Sequence, residues 1–249
     1  MVPDAMGVIK RPEGAKVAFL LVHGLAASSD ELATFGNYLN EKGFASFAVQ
    51  LAGHGTTPED FKTTSWQDWY ESAKTGLEVV RSWNPGFIFV TGLSMGGLLS
   101  LLLASEENEL DGLVLIGTAL KAPGILPRLI PILKYFMKWR EIDVEAAQRV
   151  YDVKRFKYHR EPVSSYQELF NLQKVVKQNM HKVTIPTIIL HGSEDKTIDP
   201  VSAQMVYDSI SSNNKELHMI DGGEHVITCH PTRVEAYPLI LRFIEKILS

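Results

Sequence analysis

The chain has 249 residues, 45% hydrophobic and 22% charged, with 25 Lys and Arg against 29 Asp and Glu and a single Cys. These proportions exclude disorder and low complexity, and the length suits one or two domains with a real core. The net charge of −4 offers nucleic acid no broad attraction, and one Cys excludes a disulfide framework or a multi-thiolate metal site.

Short apolar runs alternate with longer helical patterns. Val17 to Val22, Phe44 to Val49, Phe87 to Val90, Leu113 to Ile116 and Thr187 to Leu190 read as buried strands, with Lys215 to Ile220 a weaker sixth. Between them, Ser28-x-x-Glu31 predicts a helix opened by a capping box, and Ser65-x-x-Asp68 a second acidic start. Trp66, Trp69 and Tyr70 share that second helix and are expected to pack on the core. The acidic run Glu106-Glu107-Asn108-Glu109 is expected to be a solvated helix end. Asp199 before Pro200 predicts another N-cap, and Pro231-Thr232 precedes a final helix. Strand–helix alternation of this kind predicts an α/β fold, a mainly parallel sheet with helices on both faces. The connection between the strands ending at Ile116 and starting near Ile185 is too long to be a bare loop. It contains the apolar stretch Gly124 to Met137, broken by Pro127 and Pro131 and interspersed with Arg128 and Lys134. Farther on, Tyr166, Leu169, Phe170, Val175, Val176 and Met180 stand near helical spacing. The whole reads as an inserted helical cap.

Gly92-Leu93-Ser94-Met95-Gly96 is a G-x-S-x-G pentapeptide. With Gly near ~7% of residues, chance alone would produce one on the order of once in ten chains of this length. Its setting sharpens it, since a strand precedes it and the apolar run Leu98 to Ala104 reads as a buried helix behind it. A sharp turn there holds Ser94 in a strained conformation with its hydroxyl presented, and the glycines leave room for neighbouring backbone. A serine hydroxyl needs a base, and the base needs a carboxylate to orient it. Downstream, Asp195 lies just past a strand end and His225 on the Gly-rich loop after the next strand, so both reach the carboxyl edge of the sheet. Glu194, beside Asp195, should point the other way; Asp199 is better explained as a cap, and His191, His218 and His230 by structural positions. Attack on an acyl carbon creates an oxyanion that needs donors. The backbone N–H of Met95 at the helix start is one, and that of Leu25, after the strand exit His23-Gly24, is the other. His23 is expected to brace its loop, and Cys229 to be a buried filler.

Taken together, HGLAAS (His23 to Ser28), LAGHGTTPED (Leu51 to Asp60), TGLSMGG (Thr91 to Gly97), HGSEDKTIDP (His191 to Pro200) and GGEHVIT (Gly222 to Thr228) resemble the α/β-hydrolase superfamily. More narrowly, they resemble small bacterial and archaeal carboxylesterases and monoacylglycerol lipases. The resemblance implies an α/β-hydrolase core over residues 1–118 and 182–249, with a helical cap, 119–181, inserted after the sixth-strand position. It implies Ser94, Asp195 and His225 as a catalytic triad and Leu25 and Met95 as the oxyanion hole. Ile125, Leu126, Leu129 and Ile130 are the candidate substrate-binding residues of the cap, and no metal and no cofactor are called for. The implied substrate is a small acyl ester of short to medium chain length, with monoacylglycerols among the candidates. Thioesterase, amidase and C–C hydrolase chemistry remain open alternatives on the same triad, as does a non-catalytic ligand-binding protein on this scaffold. No nucleic-acid partner is expected, membrane contact is at most transient, and a monomer and a homodimer remain open. Met1-Val2-Pro3-Asp4-Ala5 lacks a signal-peptide pattern and no apolar run approaches a bilayer span, so the expected location is cytoplasmic.

Overall fold

β-branched and aromatic side chains in short runs suit a sheet covered on both faces. The computed structural model describes residues 7–107, 109–124, 130 and 135–249. In it these runs become β2 (Val17–Val22), β3 (Ala45–Val49), β4 (Phe87–Leu93), β5 (Gly112–Ile116), β8 (Thr187–Gly192) and β9 (Lys215–Ile220). Gly7–Lys10 adds β1, while β6 (Trp139–Glu141) and β7 (Arg160–Pro162) form a separate antiparallel ribbon. The seven-stranded sheet has the order β1-β3-β2-β4-β5-β8-β9. Every pair is parallel except β1 with β3. The register sets Leu21 of β2 opposite Ala48 on one side and Thr91 on the other.

The period-2 alternation of side chains sorts each strand between two cores. Ala18, Leu20 and Val22 join Phe47, Val90, Leu113 and Ile189 on one face, whereas Val17, Phe19 and Leu21 join Phe89, Val114 and Ile188 on the other. The first face is covered by α3 (Trp66–Arg81), α4 (Met95–Glu106) and α7 (Val201–Ser209), with α6 (Val163–Asn179) packed on α4. The second is covered by α1 (Ala33–Glu41) and α8 (Arg233–Leu248). Two short helices, α2 (Pro58–Lys62) and α5 (Val144–Gln148), complete the set. α4 is buried on every side from Met95 to Ala104, as expected of a helix apolar all round. α6, at the end of the long connection, sends Leu169, Leu172 and Val176 into the same core as α4. No helix among the described residues is long and apolar enough to cross a membrane.

Several local expectations change. Ser28-x-x-Glu31 opens a 3-10 turn, Ser29–Leu32, rather than a capped α-helix, and Glu31 turns inward and is buried. At Ser65 the acidic start holds, because the Asp68 carboxylate accepts from the Ser65 N–H at 2.8 Å and from its hydroxyl at 2.7 Å. α7 starts at Val201 with Pro200 at the N-cap, one residue later than expected, and Asp199 just before it accepts the Val201 N–H at 3.1 Å. The acidic run is not simply solvated: Glu106 accepts from the Tyr70 hydroxyl at 2.6 Å, and Glu107 from Arg81 at 2.7 Å. β1 escaped the reading because it is an edge strand with Val8 and Ile9 exposed, so no apolar run marks it. The long connection, expected to be helical, also contains the β6–β7 ribbon.

Trp69 of α3 is fully buried, with its indole N–H donating to Thr64 Oγ1 at 2.9 Å and its ring stacked on Phe61. Trp69→Ala should therefore destabilise the protein by roughly 3–5 kcal/mol, read as a fall in the urea midpoint with the slope unchanged.

Candidate active site

Ser94 sits between the end of β4 and the first turn of α4 with φ 57° and ψ −116°, a conformation that a side-chain-bearing residue rarely adopts. Its N–H donates to the Ile116 carbonyl at 2.9 Å, and its own carbonyl accepts from Gly97 and Ala119 at 3.0 and 3.1 Å. These bonds to β5 and the loop beyond hold the strained turn in place. The turn also requires contact without side chains. A Cβ on Gly96 would lie 2.0 Å from the Val22 carbonyl oxygen, and one on Gly92 would lie 2.3 Å from that of Gly96. The pentapeptide's glycines thus let the helix start press against the exit of β2.

His225 and Asp195 arrive from the loops after β9 and β8. His225 Nε2 stands 2.9 Å from Ser94 Oγ, and its Nδ1 stands 2.7 Å from Asp195 Oδ2. With Nδ1–H donating to the carboxylate, Nε2 is left to accept the serine proton. The other carboxylate oxygen, Oδ1, accepts the backbone N–H groups of Thr197 and Ile198 at 2.8 and 2.9 Å. His191 Nε2 also lies 3.0 Å from Oδ2. Burial alone would push the Asp195 pKa up, but the His191 and His225 contacts and the Ile198 N–H outweigh it and hold the carboxyl below the usual carboxylate range. All three side chains of the relay are largely buried. The arrangement can withdraw the Ser94 proton, hold it on a stabilised imidazolium and return it to a departing group.

Leu25 follows Gly24 on the loop leaving β2, and Met95 opens α4. A Cβ built on Gly24 would lie 3.3 Å from Ser94 Cβ, so that loop runs beside the serine. The structure therefore brings Ser94, Asp195, His225, Leu25 and Met95 to one edge of the sheet. Of the apolar residues expected to meet substrate, Ile125, Leu126 and Leu129 lie outside the described residues, whereas Ile130 is buried.

Two further histidines line the same edge. His23 is fully buried; the Leu51 N–H donates to its Nε2 at 3.2 Å, so its proton is on Nδ1, which donates to the Gly24 carbonyl at 2.9 Å. It braces the loop as expected, and burial lowers its pKa to about 4. His54 donates from Nδ1 to the Ala52 carbonyl at 3.0 Å and packs among Phe61, Trp69 and His23. Its Nε2 is buried without a hydrogen-bond partner among the described residues. Burial, reinforced by His23, holds its pKa well below the ordinary value. Cys229 is a buried filler, its thiol pushed up to about 12 by burial. Sequence reasoning missed the approach of His191 to Asp195. The sole signal was its place at the end of the strand that carries Asp195.

A mostly parallel sheet, helices on both faces and a nucleophile elbow at the carboxyl edge define an α/β-hydrolase. The model of the hydrolase family described as Serine aminopeptidase, S33 matches residues 13–231, and the chain belongs to that family. A carboxylesterase of Bacillus subtilis (strain 168) is 26% identical over 247 residues, covering 94% of this chain and 95% of that protein. A thermostable monoacylglycerol lipase of Bacillus sp. (strain H-257) is 30% identical over 225 residues, covering 87% and 85%. Among solved structures, one from work on the metagenome-derived lipolytic enzymes LipS and LipT superposes with a TM-score of 0.87 at 24% identity, covering 99% of each chain. A soluble variant of the Saccharomyces cerevisiae monoglyceride lipase, in complex with a substrate analogue, gives 0.82 at 17% identity, covering 96% of this chain and 91% of that one.

Both buried histidines have depressed folded-state pKa values, so the unfolded chain binds their protons first. Their contribution is intact above the ordinary value of 6.5 and is lost as pH falls through the folded values, with His23 continuing to about pH 4. The urea midpoint should decline over that window, and His54→Phe should make the decline shallower. An unchanged slope in the variant would contradict the assignment.

Proposed function

We propose that the protein is a serine carboxylic ester hydrolase that cleaves short- to medium-chain acyl esters, monoacylglycerols among them, through an acyl-enzyme on Ser94. The observation that carries this reading is the continuous relay from Ser94 Oγ through His225 to Asp195, with separations of 2.9 and 2.7 Å. Ser94 Oγ attacks the ester carbonyl while His225 Nε2 takes its proton. The N–H groups of Leu25 and Met95 hold the oxyanion, and collapse of the tetrahedral intermediate expels the alcohol, which receives the proton from Nε2. Water, deprotonated by the same Nε2, then attacks the acyl-enzyme and releases the carboxylic acid and the free serine. The carboxylesterase and the monoacylglycerol lipase named above support the choice of substrate.

Residues 119–181 form the cap in this reading, and the apolar stretch containing Ile125, Leu126, Leu129 and Ile130 lines the acyl site. The exposure of Phe136 and Met137 fits brief contact with lipid-like substrate rather than a lasting membrane anchor. The buried, single cysteine fits a cytoplasmic location. A second reading, amide or peptide cleavage on the same relay, is favoured by the description of the family as a serine aminopeptidase. Parallel rate series on nitrophenyl esters, monoacylglycerols and aminoacyl anilides distinguish the two: the ester reading requires the esters to lead in kcat/KM.

Ser94→Ala should fold like the wild type and fall to near background on a nitrophenyl ester, and retention of most activity would remove the proposal. Leu25→Pro deletes a backbone donor and should fall about 100- to 1000-fold below Leu25→Ala in kcat. Equal rates for the two variants would remove Leu25 from the oxyanion hole.

A further inference from the structure

The proton relay makes no use of Glu31, a buried carboxylate whose side chain is 4% exposed and is paired with Arg155, 8% exposed. Arg155 Nη1 donates to Glu31 Oε1 at 2.8 Å, and Oε2 accepts the Gly24 N–H at 3.3 Å. The Glu31 carbonyl accepts from the Thr228 hydroxyl at 2.5 Å, three residues beyond His225. The Arg155 guanidinium lies 4.7 Å from the centre of the Tyr151 ring, and the Tyr151 hydroxyl accepts the Val226 N–H at 3.3 Å. One residue further on, the Phe156 N–H donates to Asp30. The ion pair thus joins the loop that carries Leu25 to the chain between α5 and β7, and the Glu31 carbonyl and the Tyr151 hydroxyl tie this junction to the loop that carries His225.

Taking two charges out of water is costly, and an apolar pair of similar volume would often hold such a junction as well or better. What an apolar pair does not supply is an acceptor for the Gly24 N–H. Peptide groups are planar and trans, so an N–H points opposite the carbonyl of the same plane. His23 holds the Gly24 carbonyl, and with it the plane that carries the Leu25 N–H. Glu31 holds the plane immediately before it. The two side chains together leave the Leu25 N–H little freedom, while Arg155 fixes the carboxylate from the far side.

We propose that Glu31 and Arg155 are positioning residues for the hydrolytic reaction: their ion pair lets the chain inserted between β5 and β8 set the aim of the Leu25 N–H and the seat of His225. This rests on the reading of Ser94, His225 and Leu25 given under Proposed function. A misplacement of about an ångström in such a group costs on the order of a hundredfold in rate. Because an oxyanion donor acts on the transition state, the loss belongs in kcat and not in KM.

The experiment measures kcat and KM on a nitrophenyl ester, with active sites counted by fluorophosphonate labelling of Ser94, for the wild type, Glu31→Gln, Arg155→Met, the double variant and Glu31→Asp. The two single variants should lose about tenfold to a hundredfold in kcat per labelled site, with KM within about twofold. The double variant should fall no further than the worse single variant, because both changes break one interaction. Glu31→Asp keeps the charge opposite Arg155 but withdraws the carboxylate from Gly24. It should lose several-fold in kcat, and it decides the matter if the uncharged variants do not fold. A lower melting temperature with wild-type kcat per labelled site, in Glu31→Asp or in the others, would show a merely structural ion pair and overturn the proposal. Failure of the underlying reading looks different: the wild type itself would not turn over esters, or Ser94→Ala would remain active.

Discussion

The start of α4 lies so close to the exit of β2 that no side chain fits between them, with a Cβ on Gly96 falling 2.0 Å from the Val22 carbonyl. That approach forces the chain through a turn in which Ser94 adopts a positive φ, and its backbone bonds to the Ile116 carbonyl and from the Gly97 and Ala119 N–H groups hold it there. Its consequence is chemical. The serine stands at the head of a buried helix and beside the loop that carries Leu25, at the edge where the loops after β8 and β9 deliver Asp195 and His225. The strain is local, and the packed sheet on both sides of β4 bears it.

Around the elbow the protein buries far more polarity than a simple core would tolerate. His23, His54, His191, Glu31, Asp195 and His225 are all buried, and apart from the His54 Nε2 and the two ring nitrogens of His191, which lack an aligned partner among the described residues, each is hydrogen-bonded to backbone or to a side chain. The effect is a set of loops held by directional bonds at the edge of a sheet whose interior is held by apolar packing. Loops at a sheet edge have few apolar contacts, and hydrogen bonds to buried, charged or neutral-imidazole groups are what give them definite positions. The histidines on the β2 and β3 side stay neutral because burial disfavours their charged forms. Asp195 stays ionised because its hydrogen bonds favour that form more than burial opposes it.

How much of this was legible in the sequence depends on whether the cause is local. The central strands were legible because burial on both faces writes itself as unbroken apolar runs, and the elbow because its glycines and serine are consecutive. Asp195 and His225 could be chosen because each follows a strand, so topology alone carries them to one edge. β1 was not legible, since an edge strand with exposed Val8 and Ile9 lacks the run. The Ser28-x-x-Glu31 pattern suggested a cap, but Glu31 answers to Arg155, 124 residues away, and a distant partner leaves no local trace. The same holds for Glu107, which meets Arg81 of α3, and for Glu106, which meets Tyr70, where the sequence alone showed a run of exposed acids. In the long connection the helical spacing before Met180 was readable, whereas the β6–β7 ribbon of three residues per strand was too short to register.

Hydrolysis by the proposed route requires that Ser94, held in its strained turn, become covalently acylated and then be freed by water. Rapid quenching of the wild-type protein with a slow-turnover nitrophenyl ester, followed by mass spectrometry of its peptides, tests this most directly. The expected result is a transient mass increase equal to the acyl group on the peptide containing Ser94, rising and decaying at rates that match turnover. Turnover with no acylated Ser94 peptide at any time, or with the acyl group on another residue, would contradict it.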